Sequence, residues 1–399
     1  MTTRARRRGL RALGVVCLAL LGAGPTQAQS RWLTGYLQTA PLFTDATSLT
    51  PSNASNFNRI RLTIEPNWGP LSLEASYEHT LTVSQRRLSG GLGLGSVPSG
   101  GEWFDLGGTI ADEEHVQWRH RFDRLNVGFS PGQGMALSVG RQAVSWGTTL
   151  FLTPADPFLP FSPSDPFRQF RGGIDAGRLR LYPGPLSSLD LVVRPTDTAL
   201  GEELTALLRG LTTWKNWELS GWGGTLYGDR AGALGAAGGI GVWAVRVEAV
   251  IREIRGRVVG RGSIGLDRLL QIGGRDLSIL LEYQRDGLAA AGPEHYLAIL
   301  QSPEFRRGEL QVLGRDEAVF QATYQLHPLW SVFGLWLVNL NDRSALISPG
   351  FGYSASNAVS ISGGVYVGVG ESASTLERPL PSEYGLSGTT GFLSLSWFF

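Results

Sequence analysis

The chain closes with the stretch Gly391-Phe392-Leu393-Ser394-Leu395-Ser396-Trp397-Phe398-Phe399. Counting back from Phe399, the side chains of Trp397, Leu395 and Leu393 fall on one face of an extended strand, because successive side chains of a strand point to opposite sides. Two of the intervening positions are serines. The stretch therefore predicts a final β-strand with one apolar face and one more polar face.

The same alternation recurs upstream. In 57–65, Ile60, Leu62 and Ile64 share one face, and arginine, threonine and glutamate occupy the other. A soluble β-sandwich would alternate in the same way. The segments, however, are about ten residues long, as tilted transmembrane strands are. Trp and Tyr also recur near segment ends, as membrane-interface girdles require: Trp32, Trp118, Trp214, Trp217, Trp243, Tyr283, Trp330 and Trp397. The pattern favours an all-β transmembrane barrel.

The connections alternate between tight turns and longer polar loops, the pattern of bacterial outer-membrane barrels. The longest predicted loops are 40–55, 83–113, 147–171, 287–313 and 371–386. The segments between the connections predict an antiparallel up-and-down barrel of about eighteen strands with both termini on the periplasmic side. Sixteen is the alternative, because the weakest strand patterns are 202–212, 232–240 and 257–268. The alternation changes phase in 115–130, which predicts a β-bulge near Asp123.

The first 28 residues have the features of a secretory signal peptide. Five arginines precede an apolar stretch from Ala12 to Leu21, and a small-residue site follows at Thr26-Gln27-Ala28. The stretch is too short for a membrane-spanning helix. We therefore expect cleavage near Ala28, with residues 29–399 forming one barrel domain in the outer membrane. Cleavage would remove the only cysteine and change the formal charge from +1 to −4.

Composition and motifs argue against several functions. A formal charge of +1 in a chain of 399 residues gives no sign of a nucleic-acid partner. No pair among the five histidines has a zinc-site spacing, and no G-x-S-x-G elbow or phosphate loop occurs. We therefore predict no catalytic residue, metal or cofactor. A lipid-hydrolysing barrel would need a Ser–His pair, and His79 followed by Thr80 is a poor match to that requirement.

The 146–172 segment is the predicted constriction of a barrel of this size. It contains five prolines, which stiffen it and prevent ladder pairing, and five phenylalanines, which are costly to leave in water. We therefore expect this loop to fold into the lumen; the alternative is a self-packed cap over the barrel. The residues assigned to the constriction are Trp146, Asp156, Phe158, Phe161, Asp165, Arg168 and Arg171.

Three nearby motifs carry a family resemblance. They read Gly140-Arg141-Gln142-Ala143-Val144-Ser145-Trp146-Gly147, then Pro154-Ala155-Asp156-Pro157-Phe158, then Arg171-Gly172-Gly173-Ile174-Asp175-Ala176-Gly177-Arg178-Leu179. Together they resemble a signature of porin-like bacterial outer-membrane β-barrels, which implies a barrel and a channel. The C-terminal strand also resembles the signal read by the barrel-assembly machinery, and the residues assigned to that signal are Leu393, Leu395, Trp397 and Phe399.

Alternation also predicts which charged side chains line the pore. They are Arg59, Arg61, Glu74, Glu78, Arg119, Arg121, Arg178, Arg180, Arg194, Arg246, Glu248, Arg252, Asp276 and Glu282. Arginines facing acids across a lumen would produce a transverse field, and a positive constriction beside the 146–172 loop would favour anions. Alternatively, the wall charges pair with one another. Arg141, Asp156, Asp165, Arg168, Arg171 and Asp175 could likewise form an ion-pair network that pins the loop.

The sequence thus predicts an outer-membrane channel for passive diffusion of small polar solutes, with a weak anion preference. One alternative is a plugged scaffold or adhesion barrel that binds partners through loops 83–113 and 287–313. Another is a polymer-export barrel with a wider, continuously charged passage. The expected partners are outer-membrane lipid, the barrel-assembly machinery and the solutes; oligomerisation is left open.

Overall fold

A computed structural model describes residues 33–86, 101–158, 167, 170–198, 200–375 and 378–399. The predicted signal peptide and the constriction residues Phe161, Asp165 and Arg168 lie outside the described residues. In the described part of the chain, no helix is long and apolar enough to cross a membrane.

Eighteen antiparallel strands form a closed barrel, which confirms the predicted architecture and excludes the sixteen-stranded alternative. Each strand pairs with the next in sequence, and the last pairs with the first. In chain order the strands β1 to β18 are Leu33–Thr44, Asn53–Ile64, Leu71–Ser84, Val116–Gly132, Met135–Gln142, Ile174–Gly184, Ser187–Thr198, Gly201–Trp214, Trp217–Leu226, Asp229–Ile240, Trp243–Ile254, Arg257–Ile272, Arg275–Asp286, Asp316–His327, Trp330–Asn339, Ala345–Ser354, Val359–Val369 and Thr390–Phe398.

All the long connections lie at one end, which we call the loop end, together with the two-residue connections β7–β8, β9–β10 and β11–β12. The other end has only short connections, and we call it the turn end. Both the start of β1 and the end of β18 are at the turn end. The predicted bulge is confirmed: Ser76 of β3 is opposite Arg124 and Tyr77 is opposite Phe122, so Asp123 is the extra residue of β4.

Two predicted loops contain regular structure that the pattern did not indicate. Gly107–Asp112, within the predicted loop 83–113, is a strand that pairs with the loop-end half of β4. It pairs there because β5 stops at Gln142 and leaves that edge of β4 unpaired. The 287–315 connection contains a 3₁₀ turn and two short helices, α1 (Tyr296–Gln301) and α2 (Pro303–Arg306). A two-residue strand, Asn67–Trp68, lies in the short connection before β3.

The two faces of the wall differ as the alternation predicts. Ile60, Leu62 and Ile64 of β2 are exposed on the outside, whereas Arg59 and Arg61 are buried on the inside. Aromatic rings lie on the outer face at both ends: Trp330 stacks on Tyr353 at 4.3 Å near the turn end, and Phe320 contacts Trp336 at 5.4 Å nearer the loop end. An apolar exterior between aromatic girdles suits contact with lipid.

The β1–β18 seam depends on a glycine. The backbone N–H and C=O groups of Gly35 pair with those of Phe399 at 2.9 and 3.0 Å. A Cβ at Gly35 would lie 2.6 Å from the carbonyl oxygen of Arg61 and 2.7 Å from the Phe399 ring. The close approach of these three residues therefore requires glycine at position 35.

We accordingly expect Gly35→Val to destabilise the barrel by about 1–3 kcal/mol, the usual cost of overpacking. The measurement is the urea midpoint of heat-modifiable barrel in detergent. Gly391→Val is the matched control, because it lies in the same seam and its Cβ would meet no atom within 4 Å. Equal midpoints for the two variants would contradict the seam argument.

Candidate functional site

The inner wall and one long connection form the candidate site. We call residues 143–158 the crossing segment, because it leaves the wall after β5 and contacts the inner face of distant strands. Near its start, Trp146 is buried and donates from Nε1 to Asp190 Oδ2 at 3.0 Å. The Trp146 ring also contacts the rings of Phe158 at 5.1 Å and Trp222 at 6.5 Å. These contacts join the segment to β7 and β9.

Two inward glutamates of the wall accept hydrogen bonds from the backbone of the crossing segment. Glu248 of β11 accepts from the N–H groups of Thr148, Thr149 and Ala155, the last two at 2.8 and 2.9 Å. Glu282 of β13 accepts from three consecutive N–H groups, those of Leu150, Phe151 and Leu152, at 2.6–2.9 Å. We call Glu248 and Glu282 the carboxylate cradle. It supplies acceptors to six backbone donors that form no ladder.

Past its hydrogen bonds to the carboxylate cradle, the crossing segment contacts the inner face of β13 to β17. Leu152 is fully buried in an apolar cluster formed by inner side chains of β13 to β17 together with Val312 and Tyr384. Gln311 of the 287–315 connection holds the same stretch, because its side chain accepts from Thr153 N at 2.8 Å and donates to the Phe151 carbonyl at 2.6 Å.

The end of the segment is held by a buried carboxylate. Asp156 forms an ion pair with Arg171 and accepts from Ser145 Oγ at 3.1 Å and from Phe158 N at 3.0 Å. Burial raises the pKa of Asp156, and the Arg171 guanidinium opposes that rise.

Further along the same connection, two phenylalanine rings contact β1, β2 and β18. Phe167 stacks on Phe57 at 5.6 Å, and Phe170 stacks on Tyr36 at 5.7 Å with the Arg61 guanidinium 4.5 Å from its ring. The 143–173 connection therefore contacts inner side chains on widely separated parts of the wall.

The predicted pore-lining residues all lie at inward positions, but they divide into two groups. One group is buried beneath the loops: Arg59, Arg61, Glu78, Arg194, Glu248, Arg252 and Glu282. The other group remains accessible to solvent: Glu74, Arg119, Arg121, Arg178, Arg180, Arg246 and Asp276. Alternation identified the face, but it could not show which inner positions are covered by another part of the chain.

The wall charges pair mainly with neighbours. Arg59 and Arg121 both contact Glu78, at 2.8 and 3.1 Å, and Arg61 contacts Asp123 at 2.6 Å. Pairs of the same kind, between adjacent strands or between wall and loop, are Arg178–Asp190, Arg246–Asp267, Arg252–Glu309 and Arg261–Asp286. By contrast, the inward positions of β15 to β18 and of β1 carry no charged side chain. The wall thus has a charged arc and an uncharged arc, rather than arginines facing acids across the lumen.

One group on the charged arc has an excess of positive charge. Asp190 of β7 accepts two hydrogen bonds from Arg178, at 2.9 and 2.6 Å. It is also directly opposite Arg180 of β6 and Arg209 of β8 in the strand register. These three arginines and Asp190 together carry a net charge of +2, and Glu218 of β9 is a further acid that acts on Arg209. The sequence interpretation missed Arg209, because the alternation of 202–212 was weak there.

The described part of the suggested loop-pinning network forms two separate pairs. One is Arg171–Asp156. The other is Arg141–Asp175, with two hydrogen bonds of 2.8 Å. Arg141 also donates to the Phe104 carbonyl at 2.7 Å, so it joins β5 and β6 to the chain before the Gly107–Asp112 strand.

We expect Arg141→Met to destabilise the barrel by about 3–5 kcal/mol, because Asp175 would be left buried without its partner. Urea unfolding of the refolded protein measures this change. Arg285→Met is the control, since Arg285 also makes two contacts with one carboxylate, that of Asp316, but is exposed. A midpoint for Arg141→Met no lower than that of the control would contradict this role.

Among the residues that the structure describes, no group of three or more His, Cys, Asp or Glu side chains could hold a metal ion. His79 and His120 lie on the outer face, where Trp118 donates to His79 at 3.2 Å and Tyr77 bonds to His120 at 3.0 Å. The site is therefore defined by the cradle, the crossing segment and the arginine-rich arc.

No protein-family model and no curated protein matches this chain. Solved structures do match it in fold. Pseudomonas aeruginosa OpdQ is 10% identical, with a TM-score of 0.55 covering 93% of this chain and 99% of that chain. A BenF-like porin from Pseudomonas fluorescens Pf-5 is 10% identical, with a TM-score of 0.54 over 92% of this chain and 98% of that one.

Pseudomonas aeruginosa OpdK, in a structure with vanillate, is 9% identical, with a TM-score of 0.53 over 92% of this chain and 98% of that one. At these identities the likeness shows the fold. The chain has the same barrel architecture as these proteins over nearly its whole described length.

Proposed function

We propose that this protein is an outer-membrane channel for passive diffusion of small polar solutes, and that the crossing segment is its constriction. The observation that carries the proposal is the carboxylate cradle. In a closed barrel of eighteen strands, whose lumen is wide enough for an aqueous channel, Glu248 and Glu282 hold a loop against the inner wall through six backbone hydrogen bonds. The proposed activity involves no bond chemistry.

The membrane location rests on the outer surface and on the fold comparisons. The outward side chains form an apolar band suited to lipid, and OpdK is described as an outer membrane protein. We place the turn end, with both ends of the barrel strand series, on the periplasmic side. The C-terminal strand, with Leu393, Leu395 and Trp397 on the outer face, is our candidate contact for the barrel-assembly machinery.

The proposed selectivity is a weak preference for anions. Its basis is the excess positive charge around Asp190, contributed by Arg178, Arg180 and Arg209 on the turn-end side of Trp146. A concentration of one sign of charge on a low-dielectric wall attracts ions of the opposite sign. Because the opposite arc of the wall is uncharged, no facing acid cancels this field.

The experiment that tests the function is single-channel recording of the refolded protein in planar bilayers under a salt gradient. We expect stepwise conductance and a reversal potential of the sign that indicates anion preference. Absence of conductance from a folded, heat-modifiable barrel would contradict an open channel.

A plugged barrel is the second candidate, favoured by one specific observation. Leu152, Phe158 and Phe167 are fully buried within the barrel, and the loops cover seven of the predicted pore-lining residues. In that case the 287–315 and 370–389 connections would form the functional surface. A polymer-export barrel has less support, because its passage should be continuously charged and the inner face of β15 to β18 and β1 is not.

A further inference from the structure

Three carboxyl groups meet at the loop end of the barrel without a basic partner. Glu317, at the start of β14, is fully buried. Glu383 belongs to the 370–389 connection, and its backbone N–H donates to Asp342 Oδ2 at 2.7 Å. Within the described residues, no Arg, Lys or His forms an ion pair with any of the three.

The carboxyl groups of Glu317 and Glu383 meet at Gly314: Glu383 Oε2 accepts from Gly314 N at 2.9 Å, and a Cβ at Gly314 would lie 2.5 Å from Glu317 Oε1. We call this pair the carboxyl latch. Glu383 already accepts from Leu313 N at 2.7 Å, from Gly314 N at 2.9 Å and from Asn339 Nδ2 at 2.7 Å. Those donors favour its ionised form. Glu317 Oε1 has no donor among the described residues. Two buried carboxyl groups placed this close without a basic partner disfavour double ionisation, and Glu317 has fewer donors than Glu383.

The groups around the latch disfavour a second negative charge on it. Burial raises the pKa of Glu383 and holds the pKa of Tyr384 well above its ordinary value, so the Tyr384 hydroxyl stays a donor to Glu317, at 3.4 Å. Tyr296 donates to Asp342 at 2.6 Å.

The other charged side chains on the elements that pack against Glu317 and Glu383 do not neutralise the charge of this pair. Asp316, next to Glu317, pairs with Arg285, and Arg343, next to Asp342, is exposed. Arg315 forms no ion pair with the latch within the described residues. The field at the latch therefore comes mainly from Glu317, Glu383 and Asp342.

The latch is connected to the constriction. Leu313 and Gly314, which donate to Glu383, directly follow Gln311 and Val312. Gln311 binds the backbone of the crossing segment on both sides of Leu152, and Val312 and Tyr384 pack in the same apolar cluster as Leu152. Release of the 370–389 connection would therefore remove one support of the 287–315 connection and, through it, of the crossing segment.

We propose that a proton shared by Glu317 and Glu383 keeps the 287–315 connection and residues 378–389 closed on the crossing segment, and that its loss at alkaline pH releases them. This regulation rests on the proposed channel function. The direction of this pH effect follows from the linkage between protonation and stability. A group whose pKa is raised in the folded state contributes stability at low pH, and this stability is lost as pH rises through the raised pKa. Two adjacent carboxylates would then repel each other.

The test is hydrogen exchange of the refolded protein at pH 6 and pH 9, with rates converted to protection factors. We expect protection of the amides of Leu313 and Gly314 to fall at least about tenfold at pH 9, because repulsion between the two carboxylates would open the connection that these amides hold. In Glu317→Gln, whose side-chain amide donates to Glu383 without titrating, the fall should disappear. Glu294→Gln, an exposed acid in the same connection, should behave as wild type.

Unchanged wild-type protection between the two pH values would overturn the proposal, and so would a wild-type response in a folded Glu317→Gln protein. Exchange needs no ion flow, so the outcome does not depend on conductance. Bilayer recordings at both pH values then test the consequence. A pH-dependent release without conductance would contradict the channel, whereas conductance without a pH-dependent release would contradict the latch.

Discussion

Replacing both Glu248 and Glu282 with alanine is expected to raise the single-channel conductance severalfold and to make the open level noisy. The double variant removes the acceptors of six backbone N–H groups at once. Leaving a buried donor unsatisfied costs about 1–3 kcal/mol, and each ~1.4 kcal/mol changes an equilibrium tenfold. The attached state of the crossing segment should therefore lose most of its advantage, and the constriction should widen.

The control for this experiment is Glu218→Ala/Asp276→Ala. Both residues are inward acids of the turn-end half that remain exposed, and the double variant removes the same number of charges without touching the crossing segment. A change in lumen charge alone would affect the two proteins similarly. If the cradle variant and the control conduct equally, the crossing segment does not set the cross-section.

The fold was predictable because every strand meets the same requirement, an outer face in contact with lipid. A transmembrane strand places apolar side chains toward lipid at every second position, so a period of two persists from strand to strand even where the inner residues vary. The bulge at Asp123 could be predicted for the same reason, since a one-residue insertion reverses the phase of an otherwise strict pattern.

The weak strand patterns have a physical cause at the site itself. β10 contains the weakly patterned stretch 232–240, which has many glycines and alanines on both faces. On its inner face, a Cβ at Gly235 would lie 2.4 Å from Thr148 Oγ1 of the crossing segment. Small residues let the segment approach the wall closely, and they also remove the contrast between faces from which a strand is predicted.

The internal arrangement of the lumen could not be predicted from the local pattern. Glu282 and Phe151 are 131 positions apart, and no sequence period links them. Alternation placed Glu248 and Glu282 on the inner face. The sequence pattern does not distinguish a glutamate that faces water from a glutamate that binds a loop. Gln311 gave no signal at all, because its role depends on how the 287–315 connection folds back over the barrel.

The second large effect concerns ion preference. Replacing Arg180 and Arg209 with glutamate is expected to reverse the sign of the reversal potential under a salt gradient. In the wild type, the three arginines and Asp190 together carry a net charge of +2. In the double variant, Arg178 would face two glutamates and Asp190, so the net charge becomes −2, and the field that attracts anions would attract cations.

The strand register is the reason for substituting Arg180 and Arg209. Arg180 and Arg209 lie opposite Asp190 from its two sides, whereas Asp190 accepts hydrogen bonds from Arg178 and Trp146. The substitutions therefore leave both of those contacts in place. The Trp146–Asp190 bond also keeps the crossing segment attached, so the conductance should change less than the selectivity.

The matched control is Arg306→Glu/Arg378→Glu, which reverses the same number of charges on exposed residues of the two long loop-end connections. Exposed charges in loops are screened by salt over about 10 Å at 0.1 M, so this control should keep the anion preference. If both double variants shift the reversal potential equally, selectivity arises from the total charge of the protein. A shift confined to Arg180→Glu/Arg209→Glu locates the selectivity on the wall around Asp190, the residue that accepts the hydrogen bond of Trp146.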